Sequence, residues 1–246
     1  MSVKQKETCR RVRHLAISLV FLSLAACSRP MTDGEISYSR EILSQGLDFG
    51  EVRFSGQEAQ GIRLAERQLA QDVQKILEAP GNEENADRLM SSLPSLFGAD
   101  AIVIGNTVFF DQDVYSSDFS TSSVDSDRWL MAHEVTHVWQ WQNKDVTGYT
   151  FAKVVSEHLE FGDDVYEYSL IEGKSFTEYR FEQQGAIVQC YAMLRQIRPT
   201  DPLTVRHEQL IRSEFPLDAM LELIGSDNDG VVRVREEIES SACDGR

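Results

Sequence analysis

The chain has 246 residues, with 24 Lys and Arg against 40 Asp and Glu, a formal net charge of −16. A surface this acidic repels phosphate backbones and anionic lipid, which argues against a nucleic-acid partner. The length suffices for one domain with a sizeable core or two small ones, and no internal repeat is visible.

Residues 1–14 are basic, and residues 15–26, LAISLVFLSLAA, form a twelve-residue apolar run. That run is short for a membrane-spanning helix and has the flanks of a signal-peptide core. It ends in Leu24-Ala25-Ala26-Cys27, which resembles the lipobox of bacterial lipoproteins. The resemblance implies cleavage before Cys27 and acylation of its sulfur, an anchor that is stable when several chains share one cysteine. Ser28 follows Cys27 where an inner-membrane signal would place Asp, so the expected location is the cell envelope, on the outer membrane facing the periplasm. Loss of residues 1–26 removes five basic side chains and one acidic one, leaving 220 residues of net charge −20. Of the four cysteines, Cys190 and Cys243 then remain as a possible disulfide pair in an oxidising compartment. No CxxC motif is present, which argues against a cysteine zinc site.

Residues 27–34 read as a tether, and GEISYSREILSQG as a first helix ended by Gly46. EVRFSG is a short strand candidate. Between Gln57 and Glu78 the apolar residues Ile62, Ala65, Leu69, Val73 and Ile76 recur at helical spacing, and Pro80-Gly81 ends that helix. A further helix is predicted over about 84–93. Two β-rich runs, Ala101–Ile104 and Thr107–Phe110, flank Gly105-Asn106 and predict a hairpin. A Ser/Asp loop with capping residues leads into a helix from about Asp127 to Asn143. A loop near Gly148, a short helix at 151–160 and an acidic loop follow. Ser175 with Glu178 is a capping box that is expected to open the helix TEYRFEQQGAIVQCYAMLRQ, stopped before Pro199. The remaining residues are predicted mostly helical. The fold class is α+β, helix-dominated, with one small sheet before the Asp127–Asn143 helix.

That helix contains His133-Glu134-Val135-Thr136-His137. Residues i and i+4 share a helix face, so both imidazoles can aim at one ion. Glu134 is rotated by about 100 degrees, beside the metal but not on it, where it can take a proton from water. The bare pattern occurs by chance, but here Leu130, Met131, Ala132, Val135, Thr136, Val138 and Trp139 are all uncharged. A core helix without a cation would bury three ionisable groups, which is costly. Zinc in a hydrolase takes three protein ligands and keeps one open place. Gln140 and Asn143 stand where the metzincin pattern needs Gly and His, so that class is excluded. His158 and His207 are isolated. Glu182 is the better third ligand, because Gly185 and Ala186 on its own helix face permit a close approach to the histidine helix. Tyr166, Tyr168 and Tyr179 are candidates for a donor to the developing oxyanion, with Tyr168 the chosen one.

MAHEVTHVWQWQ followed by FEQQGAIVQCY resembles a bacterial zincin-like metallopeptidase family whose members are called Vgr-related proteins. A similar domain occurs in core proteins of extracellular contractile injection systems. The resemblance covers roughly residues 96–195. It implies a zincin-like domain over about 35–198, an edge strand that pairs with substrate, His133, His137 and Glu182 as metal ligands, and Glu134 as general base. A helical insertion at about 57–93 and a C-terminal extension at 199–246 are without counterpart in it. GSDNDGVVRVRE, residues 225–236, matches parts of a calcium loop, but Gly225 stands where a carboxylate is needed, so it reads as a turn. The leading expectation is a lipid-anchored zinc metallopeptidase acting on peptide or protein. The competing one is a non-catalytic zincin-fold module of the envelope or of a secretion or injection apparatus.

Overall fold

The computed structural model describes residues 28–43, 46–78, 83–91 and 100–215. The leader, Cys27, Cys243 and the 225–236 turn lie outside the described residues. Cys190 is buried and disulfide-bonded, and the other three cysteines of the chain all lie outside that range. Among the described residues no helix is long and apolar enough to cross a membrane.

The first described residues are not a tether. Arg29–Pro30 form a strand (β1) antiparallel to β2, Arg53–Ser55. The Arg29 guanidinium grips both oxygens of Glu35 at 2.8 Å and donates to the Ser116 carbonyl. Glu35 is fully buried, also accepts from the Thr32 and Phe119 amides, and closes a capping box with Thr32. A buried ion pair holds only when its remaining hydrogen bonds are satisfied, and here most are. The box starts helix α1, Asp33–Ile42. The expectation of a tether over 27–34 fails because a two-residue strand carries no periodic signal.

The predicted hairpin forms as β3, Ala101–Ile104, and β4, Thr107–Phe110, with Ile104 opposite Thr107. Gly105 supplies the positive φ (63°) of its two-residue turn. β2 joins β4 in parallel, so the sheet order is β1-β2-β4-β3 with β3 at one edge. Alternation along the strands separates two cores. Val103, Val108 and Phe110 pack with Met131, Val135, Ile187 and Tyr191. Ile102 and Ile104 instead face Ala65, Leu69 and Val73 of α2, Glu58–Leu77, with residues of α3, Glu83–Ser91, and α6, Phe151–Phe161. A Cβ on Gly61 of α2 would stand 2.6 Å from Phe109 Cβ, so α2 lies directly on the sheet. α2 and α3 thus build one of the two cores.

Helix α4, Asp125–Gln142, carries both histidines of the motif and is buried continuously from Met131 to Gln140. A helix enclosed on all sides needs no apolar stripe. The four-residue helix α5, Lys144–Thr147, ends on the left-handed Gly148. Helix α7, Phe181–Ile197, packs against α4, and α8, Pro202–Glu214, packs against α7. The expected start of α7 needs correction. The Ser175–Glu178 capping box is present, but it opens only a 3-10 turn, Phe176–Glu178. The chain then runs extended through Tyr179 and Arg180, with Phe176 and Tyr179 both sunk in the core. Glu182 consequently lies in the first turn of α7.

Candidate metal centre

His133 and His137, one turn apart on α4, bring their Nε2 atoms to 3.1 Å from each other. Glu182 of α7 places Oε2 at 3.3 Å from both. Four donors at zinc bonding distance in a tetrahedron stand about 3.3 Å apart, so these three atoms form one face of such a tetrahedron. The three residues are buried, and together they could hold a metal ion. No fourth His, Cys, Asp or Glu joins this group among the described residues.

Close approach of the helices depends on Gly185, as its small size suggested. A Cβ there would stand 2.6 Å from His133 Nε2 and 2.7 Å from Cε1. Each donor is also held from behind. His133 Nδ1 donates to Gln189 Oε1 at 3.1 Å, and His137 Nδ1 to Gln140 Oε1 at 2.8 Å. His158 Nε2 lies 3.1 Å from Glu182 Oε1, the oxygen turned away from the imidazole pair. Beside it on α6, Glu157 accepts from the Phe181 and Glu182 amides and so caps α7. His158 is thus not isolated: it orients the carboxylate. Sequence reading misses His158, Glu157 and Gln189, since each reaches the site from a separate element or turn. Gln140 had a signal, three residues beyond His137 on one face.

The electrostatics suit a cation. Burial alone would lower the His137 imidazole, but the adjacent Glu182 carboxylate outweighs it and pushes the ring up to about 9. Burial likewise opposes charge on Glu182, yet His137 and the hydrogen bonds from three histidines hold it well below the usual carboxylate range. Glu134 is pushed up by burial. Its carboxylate makes no hydrogen bond among the described residues and stands outside the donor cluster. Its oxygens are not among the fully enclosed unpaired atoms, so they keep some access to solvent.

The three tyrosines separate. The Tyr179 hydroxyl donates to the Ser169 carbonyl and accepts from the Ile171 amide, a structural position. The Tyr168 hydroxyl is committed to His207 Nε2 at 2.8 Å, which corrects its choice as oxyanion donor. Tyr166 instead sets its ring 5.9 Å from His133 and 5.8 Å from His158, with its hydroxyl pushed up by burial. His207 is 2% exposed and neutral in this pairing: Nδ1–H donates to the Leu203 carbonyl and Nε2 accepts. Burial lowers its folded value below the unfolded one. Its contribution is therefore complete above the unfolded value of about 6.5 and is lost as pH falls through the lowered folded value. Denaturant melts should show wild type losing more stability than His207→Phe between neutral and mildly acidic pH. Equal losses would remove His207 from the acid response.

Residues 63–145 match a family model described as the eCIS core domain, about a third of the chain. The matched segment takes in most of α2, the hairpin and the HExxH helix, and stops before Glu182. Among solved structures, the effector domain of Pseudomonas aeruginosa VgrG2b is similar at 23% identity, over 76% of this chain and 81% of that one, with a TM-score of 0.45. No curated protein matches.

Proposed function

We propose that the chain is a zinc-dependent hydrolase of peptide bonds, held at the bacterial envelope by lipid on Cys27. The observation that carries the chemistry is Glu134. It is a buried carboxylate with no hydrogen bond among the described residues, beside a cluster of three donors that no fourth His, Cys, Asp or Glu of those residues joins. A structural role would demand partners for so costly a group, whereas a general base must keep its oxygens free for water. Two imidazoles and one carboxylate are a donor set that suits zinc. Zinc bound there would act as a Lewis acid on the scissile carbonyl and acidify water.

The chain's own groups supply the rest. Glu134 takes a proton from the attacking water as the carbon–oxygen bond forms. It returns that proton to the amine nitrogen as the carbon–nitrogen bond breaks. Tyr166, protonated at neutral pH like any tyrosine, donates to the carbonyl oxygen as negative charge develops on it. β3 carries no strand on its outer edge among the described residues and offers a peptide an antiparallel partner. Asp100, just before β3, adds its negative charge to the forces that raise both Glu134 and Tyr166, so that end of the strand lies near them.

Metal analysis together with a broad peptide library tests the reading. One zinc per chain and cleavage of some peptides are expected. Zinc without cleavage of any peptide would turn it to a binding module in which the metal staples α4 to α7. The anchor is tested separately. Alkyne fatty-acid labelling of cells should mark the wild type and not Cys27→Ala, and equal label on both would refute acylation at Cys27.

A further inference from the structure

We propose that Gln140 and Gln184 are positioning residues of the metal centre, a ladder of two side-chain amides that commits His137 to present Nε2. This rests on the metal-binding part of the reading above and not on hydrolysis. The ladder starts at a group whose role is fixed. The Tyr179 carbonyl can only accept, so the Gln184 nitrogen donates to it, at 2.8 Å. That orientation turns Gln184 Oε1 toward α4. Gln140 answers with its own amide nitrogen, donating to Gln184 Oε1 and to the Phe181 carbonyl, both at 3.0 Å. Both its donors are then used, and Oε1 faces His137 Nδ1 at 2.8 Å. A flipped Gln140 would set its oxygen against two acceptors and its nitrogen against the ring. Gln140 is 0% and Gln184 2% exposed, so water cannot relieve a mismatch.

The consequence falls on the imidazole. A neutral ring has one N–H, and the nitrogen that carries it is set by its hydrogen bond. Facing an acceptor, Nδ1 holds the proton and Nε2 keeps its lone pair, aimed at His133 Nε2 and Glu182 Oε2. The direction set by a main-chain carbonyl before α7 thus passes through two amides to a ligand on α4. The same bonds tie the helix bearing the histidines to the one bearing Glu182. His133 has a looser support, since Gln189 is only partly buried. The ladder also accounts for the glutamines of HVWQ and EQQ: Gln140 and Gln184 form it, while Gln183 caps α7 through the Arg180 amide.

Gln140→Met keeps the volume and removes both polar ends. Gln184→Met cuts the ladder one rung away, without touching His137. Gln140→Glu keeps an acceptor for Nδ1 but turns its other oxygen on two acceptors. Zinc affinity is read by chelator competition on the full chain. The His137 tautomer is read by nitrogen-15 NMR of the metal-free chain, followed upward in pH until the ring is neutral. Gln140→Met should bind zinc about 10–100-fold more weakly and lose the pure Nδ1–H form. Gln184→Met should move both readouts the same way by less, and it carries the test should Gln140→Met not fold. Gln140→Glu should restore the Nδ1–H form. Weaker zinc binding with an unchanged tautomer in both Met variants would overturn the proposal, as would unchanged affinity. Absence of zinc uptake by the wild type would defeat the metal reading instead, and the tautomer in the metal-free chain would still decide the ladder.

Discussion

Glu134→Gln should retain zinc and fold while peptide hydrolysis falls by at least about 10²–10⁴-fold, the usual contribution of a general base. Gln is nearly isosteric with Glu but cannot take a proton from water. Zinc should stay, because the Glu134 carboxylate is outside the cluster of His133, His137 and Glu182. The melting temperature should hold or rise. The native carboxylate is buried without a hydrogen bond among the described residues, and its charge is disfavoured by desolvation, so a neutral amide relieves a cost. Loss of activity with a gain in stability is the signature of a group kept for chemistry. The measurement is turnover on the best library peptide at matched zinc content, beside thermal melts. Undiminished turnover would remove the assigned role, and loss of zinc would make Glu134 a ligand.

Gly185→Ala should leave the chain folded and weaken zinc binding by about 10–100-fold, as loss of a ligand's support does. Two effects on folding oppose each other. Ala gains about 1 kcal/mol over Gly inside a helix, while overpacking a close contact costs about 1–3 kcal/mol. The fold therefore changes little, and the strain goes to whatever can move. The new methyl would meet His133 Nε2 at 2.6 Å, Cε1 at 2.7 Å and Cδ2 at 2.9 Å, so the group that must yield is a ring, at its donor atom. On the other side His137 Nε2 stands at 3.1 Å and Gln189 holds Nδ1, so the ring leaves the tetrahedral face when it moves. Chelator competition reads the affinity. A second readout is the stabilisation that added zinc gives in thermal melts, which should shrink with affinity. Wild-type affinity in Gly185→Ala would show that the helices can separate at no cost to the site.

How much of this was legible depends on the distance over which each signal acts. The hairpin was readable because two β-rich runs flank Gly105-Asn106, and both strands form where expected. Helix α2 was readable from Ile62, Ala65, Leu69 and Val73, but its status was not. Spacing shows that a face is buried and not what buries it, so the seat of this helix on the sheet through Gly61 came only from the structure. The start of α7 was misplaced because the local rule at Ser175 is correct and incomplete: the cap forms, but the turn it opens ends at Glu178 and the helix starts afresh at Phe181.

The sequence by itself determined the part of the site that one helix builds. His133, Glu134 and His137 follow from 3.6 residues per turn, and Gly185 with Glu182 could be inferred because small residues on the carboxylate's own face imply a close neighbour. Tertiary structure alone decided what stands behind each ligand. His158 and Glu157 approach from α6, Gln184 is reached through the Tyr179 carbonyl, and the choice of Tyr166 over Tyr168 turns on which of them meets His207. The physical reason is range. Helical periodicity acts over a turn or two and is written in residue spacing. A hydrogen bond between side chains on different helices depends on how those helices pack, and packing is set by the shape of the whole core.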